Sequence, residues 1–206
     1  MTRTAIFAIG LLLAMIAPAS VAAGQPDQVD PALMQPTLNP TFAPWDCWRH
    51  GTGIVCDGHR SDSWTNEVTF LECGGRPVYS TGTDVRTLTR HGNSAGLGLW
   101  TNSHVDIDET LTMQPDGSGP ALRAFGTFEE HFEYLVPGDL STRTDRYTGI
   151  DVHVTGPGLG VILHDTGVKT FDIDDNVLLA HGPHPLLADF DGAFALVCDA
   201  FVELGA

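Results

Sequence analysis

The sequence predicts an all-β protein, an antiparallel meander closing as a barrel or sandwich, with one C-terminal amphipathic helix. Three observations support this prediction. From Trp45 onward, apolar and polar side chains alternate with a period of two. Glycine-containing turns interrupt the alternation at short, regular intervals. The C-terminal residues instead place their apolar side chains at helical spacing.

The alternation divides the chain into short strands joined by turns. It is clearest where Val105 and Leu111 share one predicted face while Asp106 and Thr110 share the other. Cys47 and Cys56 flank a tight hairpin that precedes these strands. The further predicted strands cover residues 67–73, 78–81, 85–91, 97–101, 104–113, 121–136, 143–155, 161–166, 168–173 and 177–180.

A helix of about 15 residues is predicted from Pro185, since proline suits the first helical position. Leu186, Phe190, Phe194 and Val197 recur at the spacing of one helical face. The sequence therefore ends in an amphipathic helix that can cover one face or opening of the β-structure.

The N-terminus has the three parts of a secretory signal peptide, predicted to occupy residues 1–23. Arg3 is positively charged, residues 5–16 are apolar, and small residues precede a cleavage site after Ala23, with Ala22 as the alternative. The apolar run is shorter than the roughly 20 residues that span a membrane. We therefore expect secretion, with no membrane insertion of the mature chain.

Cleavage would leave about 183 residues, a length typical of one domain. Residues 24–44 are rich in proline and glutamine and predict a flexible leader. The domain then covers residues 45–206.

Four cysteines in an exported chain predict two disulfides. Four cysteines allow three connectivities. The hairpin between Cys47 and Cys56 favours their pairing, which leaves Cys73 to pair with Cys198 and to clip the helix to an early strand.

Charge and motifs exclude several function classes. The chain has 26 acidic residues against 10 Lys and Arg, a net charge of −16, so it repels nucleic acids and anionic membranes. Neither Asp172-x-Asp174-x-Asn176 nor the pair His181 and His184 completes a metal-ligand set. The sequence therefore predicts no metal and no cofactor, and it leaves the oligomeric state open.

Charged residues that share parity with apolar neighbours predict a ligand site. Glu109, Glu130 and Arg146 each do so, and His164 joins them if it faces inward. A turn centred on Gly138 would place Arg146 opposite Glu130. We therefore predict a non-enzymatic binding module that holds a small, partly apolar ligand inside the barrel, with these four side chains as ligand-binding residues.

Two alternatives remain open. The first is a secreted hydrolase that uses either paired carboxylates or Ser94, which lies in a G-x-S-x-G match at residues 92–96. The second is a wall-associated interaction protein whose acidic face contains Glu129, His131 and Glu133. The sequence therefore leaves open whether the protein is an enzyme.

Three segments of the last third of the chain, residues 150–160, 171–174 and 181–185, carry a resemblance. They begin with Ile150-Asp151-Val152 and end with His184-Pro185. In these turns and strands the chain resembles uncharacterised secreted β-rich proteins of high-GC Gram-positive bacteria. The resemblance implies export and β-structure, and it implies no activity.

Overall fold

The computed structural model describes residues 27–206, and over these residues eight strands pair in sequence order in one antiparallel sheet. The strands are β1 (Asp46–His50), β2 (Gly53–Cys73), β3 (Arg76–Gly92), β4 (Gly98–Thr112), β5 (Ala121–Tyr134), β6 (Arg143–Gly156), β7 (Gly160–Phe171) and β8 (Val177–His181). The helices are α1 (Pro185–Ala188) and α2 (Phe190–Glu203), with 3-10 turns at Pro31–Leu33, Pro40–Phe42 and Leu140–Thr142.

The predicted meander and C-terminal helix are confirmed, but the predicted closure into a barrel is wrong. The two edge strands, β1 and β8, have 5 residues each, whereas β2 has 21. Strand β1 pairs with β2, and β8 pairs with β7. Strands β1 and β8 therefore do not pair with each other, and the sheet is open, not the predicted barrel or sandwich.

Several short predicted strands merge into long ones because the glycines between them do not end the pairing. Gly82 continues β3 at a point where β4 comes very close. A Cβ atom at this position would lie 2.6 Å from the carbonyl oxygen of Asp108. Glycine is therefore required by the close approach of the two strands, rather than by a turn.

The face of the sheet that packs against α2 is called the inner face here. At one end of the strands, Val78, Leu122 and Leu163 form a core with Val197 and Phe201 of α2. The Cys73–Cys198 disulfide joins the end of β2 to this helix. The helix therefore covers one end of the inner face.

Residues 27–44 cover the opposite end, although their composition predicts a flexible leader. Met34, Leu38 and Phe42 are buried, and Met34 and Leu38 pack in a second core with Ile54 and the Cys47–Cys56 disulfide. This segment packs on the sheet because the spacing of Met34 and Leu38 lets both side chains reach that core. The signal peptide predicted at residues 1–23 lies outside the described residues.

Both predicted disulfides are confirmed, and they fit an oxidising extracellular setting. Cys47 and Cys56 lie directly opposite each other in the β1–β2 hairpin. In the described part of the chain, no helix has both the length and the hydropathy needed to cross a membrane.

Candidate functional site

Charged and hydroxyl-bearing side chains cross the middle of the inner face, between the two apolar cores. Cross-strand pairing aligns Arg60 with Arg86, and Glu130 with Tyr147, which in turn lies opposite Lys169. We call this row the polar band, and its members are Arg60, Asp84, Arg86, Glu130, Tyr147 and Lys169.

One half of the polar band is an ion-pair network on β2, β3 and β5. The Asp84 carboxylate lies 2.5 Å from Arg60 Nη2 and 2.9 Å from Arg86 Nε. Arg86 Nη1 lies 3.7 Å from Glu130 Oε1. Burial raises the pKa of Glu130, and the nearby Asp145 and Asp84 add to the rise, although Arg86 opposes it.

The other half is built around Lys169, whose ammonium group contacts Asp151 and lies 3.2 Å from Asp165 Oδ1. Asp165 is fully buried, and it also accepts hydrogen bonds from His184 Nδ1 at 3.0 Å and from the Leu186 amide at 3.2 Å. The carboxylate thus fixes the lysine and ties both His184 and the first turn of α1 to β7.

Beside Lys169 the inner face opens into a cleft of about 310 Å³ between β6, β7 and the loop that follows β7. Its lining combines two aromatic rings, one ammonium group and three carboxylates. The lining residues are Asp145, Tyr147, Asp151, Lys169, Phe171 and Asp175. We call this space the β6–β7 cleft.

The aromatic wall of the cleft is rigidly placed. The Tyr147 and Phe171 rings meet edge to face, with centroids 5.8 Å apart. Phe128 and Phe132 pack on Tyr147 from β5, at 6.2 and 6.5 Å. Burial, followed by the charges of Glu130 and other acids, raises the pKa of Tyr147 to about 12. The phenol is therefore neutral and can donate a hydrogen bond at physiological pH.

The carboxylate at the base of the cleft lies in a crowded acidic environment. Asp145 is buried, with Oδ1 2.6 Å from Arg143 Nε. Burial raises the pKa of Asp145, and the charge of Asp175 adds to the rise, although Arg143 opposes it. The arginine therefore only partly compensates for the loss of solvation.

Glu109 and Glu130 both lie on the inner face, but far apart. Glu130 pairs with Ser103, which precedes Glu109 by six positions on β4, so about 20 Å separates the two carboxylates along the strand. Glu109 accepts a hydrogen bond of 2.6 Å from Ser80. The two glutamates therefore neither share one pocket nor form a catalytic carboxylate pair.

Arg146 and His164 lie on the outer face, contrary to their predicted positions. Arg146 is exposed and pairs with His131. The bulge in β6 between Ile150 and Val152 adds one residue, so residues before it face the side of the sheet opposite to the one that constant alternation from Val152 predicts. His164 Nδ1 lies 2.8 Å from His153 Nδ1. The pairing of β6 with β7 has a second irregularity directly after Val154. Neither side chain can reach a ligand on the inner face.

The features proposed for a hydrolase are dispersed. Ser94 is exposed in the β3–β4 hairpin, where the Asn93 side chain accepts hydrogen bonds from the Ala95 and Leu97 amides. A nucleophile elbow would instead require a strand-to-helix turn. Within residues 27–206, Ser94 makes no side-chain hydrogen bond to a histidine, and no three metal-ligating side chains form a group.

Sequence reasoning missed the residues that line the β6–β7 cleft. Tyr147, Lys169 and Phe171 all point inward, and Lys169 is the only lysine of the chain. The lysine lies within a predicted strand, between Gly167 and Phe171. Because a buried ammonium group needs dedicated partners, a single lysine in such a strand could have indicated a polar site.

Comparison of the chain with protein-family models, with curated proteins and with solved structures finds no match. Function is therefore inferred from the geometry of the cleft.

Proposed function

We propose that this protein is an exported, non-enzymatic binding protein that holds a small, partly apolar ligand in the β6–β7 cleft. The observation that carries the proposal is the lining of that cleft, where Tyr147 and Phe171 face Lys169 and carboxylates across about 310 Å³. Pockets for small molecules combine apolar walls with a few placed polar groups, and this volume suits a small ligand.

The cleft is prepared for binding before any ligand arrives. Lys169 is held by two carboxylates, and Tyr147 is packed by aromatic neighbours. Rigid groups lose little conformational entropy when they contact a ligand. The site therefore needs no rearrangement of its own side chains.

The first experiment looks for the natural ligand. The secreted protein would be isolated from culture medium and analysed by native mass spectrometry, and a co-purifying small molecule is expected. A panel of small molecules would then be screened by thermal shift, and hits measured by calorimetry.

A matched pair of variants locates the site. Tyr147→Ala should weaken ligand binding at least tenfold, because it removes one wall of the cleft. Arg146→Ala changes the adjacent residue, which is exposed on the outer face, and should leave affinity unchanged. Unchanged affinity in Tyr147→Ala, or an equal loss of affinity in Arg146→Ala, would refute the proposed site.

A second candidate function, contact with a wall-associated partner, is favoured by one observation. Edge strand β8 exposes Val177, Leu178 and Leu179, at 50%, 56% and 44%. Exposed apolar edge strands are templates for pairing with another chain. Leu178→Lys should then lower the fraction of protein retained with the cell wall, whereas Arg146→Ala should not.

A further inference from the structure

The positive charges around the β6–β7 cleft are already engaged. Lys169 contacts both Asp151 and Asp165. Arg143 is bound to Asp145 at 2.6 Å. The basic groups beside the cleft therefore have carboxylate partners, and they offer little attraction to an anionic ligand.

Negative charge, in contrast, is left over. Asp175 lines the cleft from the loop after β7, is exposed, and has no ion pair among residues 27–206. Glu130 lies opposite Tyr147 on the neighbouring strand. Its ion-pair partner is Arg86, whose Nη1 lies 3.7 Å from Glu130 Oε1, and Arg86 also binds Asp84. Burial raises the pKa values of Glu130 and Asp145, and neighbouring carboxylates add to each rise.

The aromatic wall favours the same kind of ligand. A cation within about 6 Å of an aromatic ring is attracted by the negative face of the ring, and the attraction grows when water is excluded. Tyr147 and Phe171 lie perpendicular to each other, at an interplanar angle of 77°, and so present two different surfaces to one ligand. An alkyl or aryl group can pack on one ring while a cationic head lies near the other and near Asp175.

We infer that the ligand is a small organic cation, a primary amine or quaternary ammonium compound with an apolar part. This inference rests on the proposed function of the β6–β7 cleft and specifies the chemistry of its ligand. A bare metal ion fits less well, since no three His, Cys, Asp or Glu side chains of the described chain form a group that could hold one.

The test uses matched probes that differ in charge. Choline and benzylammonium are the cations, 3,3-dimethyl-1-butanol and benzyl alcohol the neutral analogues, and 3,3-dimethylbutanoate and benzoate the anions. Calorimetry on the folded mature protein should show that each cation binds at least tenfold more tightly than its neutral analogue. The anions should show no binding.

Two variants and one control assign the binding to the cleft. Asp175→Asn should weaken the cations about three- to tenfold and leave the neutral probes unchanged, because asparagine tolerates the φ of 61° at this position. Tyr147→Ala should weaken the cations at least tenfold. Arg146→Ala should have no effect.

The outcomes separate the two proposals. If a neutral or anionic probe binds as tightly as its cation, and Tyr147→Ala abolishes that binding, the cation inference is overturned and the proposed function stands. If the cations bind equally well to Tyr147→Ala and to the unmodified protein, the cleft is not their site and the inference is overturned. If no probe binds and no molecule co-purifies, both proposals are overturned.

Discussion

Removal of the disulfide between Cys73 and Cys198 should lower the free energy of unfolding by about 5 kcal/mol at 25 °C. The bond closes a loop with a sequence separation of 125, and chain-entropy theory assigns about 4.9 kcal/mol to that length. The same relation gives about 2.6 kcal/mol for Cys47–Cys56, with its separation of 9. The chain therefore contains its own control.

The assay is equilibrium unfolding in urea, followed by the fluorescence of the 4 tryptophans. The double variant Cys73→Ala/Cys198→Ala is compared with Cys47→Ala/Cys56→Ala. For an m-value of about 2 kcal/mol per M, the midpoint should fall by roughly 2.5 M for the first variant and 1.3 M for the second. Since domains have only about 5–15 kcal/mol of stability, the first variant should be marginally folded.

The relative size of the two effects is the critical result. If loss of Cys73–Cys198 costs no more than loss of Cys47–Cys56, the unfolded chain does not gain the conformational freedom that the longer loop predicts. The entropic account would then be refuted for this fold.

Three further expectations concern single residues. Asp165→Asn weakens the partner of a buried Lys169 and should lower the free energy of unfolding by about 3–5 kcal/mol, measured in urea. The hydrogen bond with Glu129 raises the pKa of His104, so its stabilisation is present below about pH 6.5 and is lost as pH rises through the folded-state pKa. NMR titration should show the raised pKa, and His104→Gln should remove that pH dependence of unfolding. Gly82→Ala should cost about 1–3 kcal/mol in urea unfolding, because its Cβ meets the β4 backbone.

The order of the elements was predictable because it depends on local signals. Turn glycines and period-two alternation mark most strands, and the helical spacing after Pro185 marks the last element. A helix does begin at Pro185, but the predicted single helix is split: α1 ends at Ala188, and α2 begins at Phe190, where the Asp189 side chain accepts a hydrogen bond from the Gly192 amide and caps it. Both disulfide pairings followed from hairpin geometry and elimination.

The candidate site was only partly predictable because its parity changes within strands. Val152 and Val154 face inward, and constant alternation would carry Arg146 with them. The bulge between Ile150 and Val152 instead brings Tyr147 to the inner face and turns Arg146 outward. The loop of residues 135–142 joins β5 to β6 so that Glu130 lies opposite Tyr147, and this pairing also places Tyr147 on the inner face. A bulge adds one residue without changing the character of the sequence around it.

The position of the polar band agrees with the proposed ligand binding. Apolar cores lie at both ends of the inner face, so the sheet could have continued them across its middle. Replacing buried ion pairs with packed apolar side chains is often neutral or stabilising, so burial of charge does not by itself make this band a source of stability. The band ends at Lys169, which lines the β6–β7 cleft. A charged row that ends in an aromatic-walled cleft therefore agrees with the proposed binding of a small ligand.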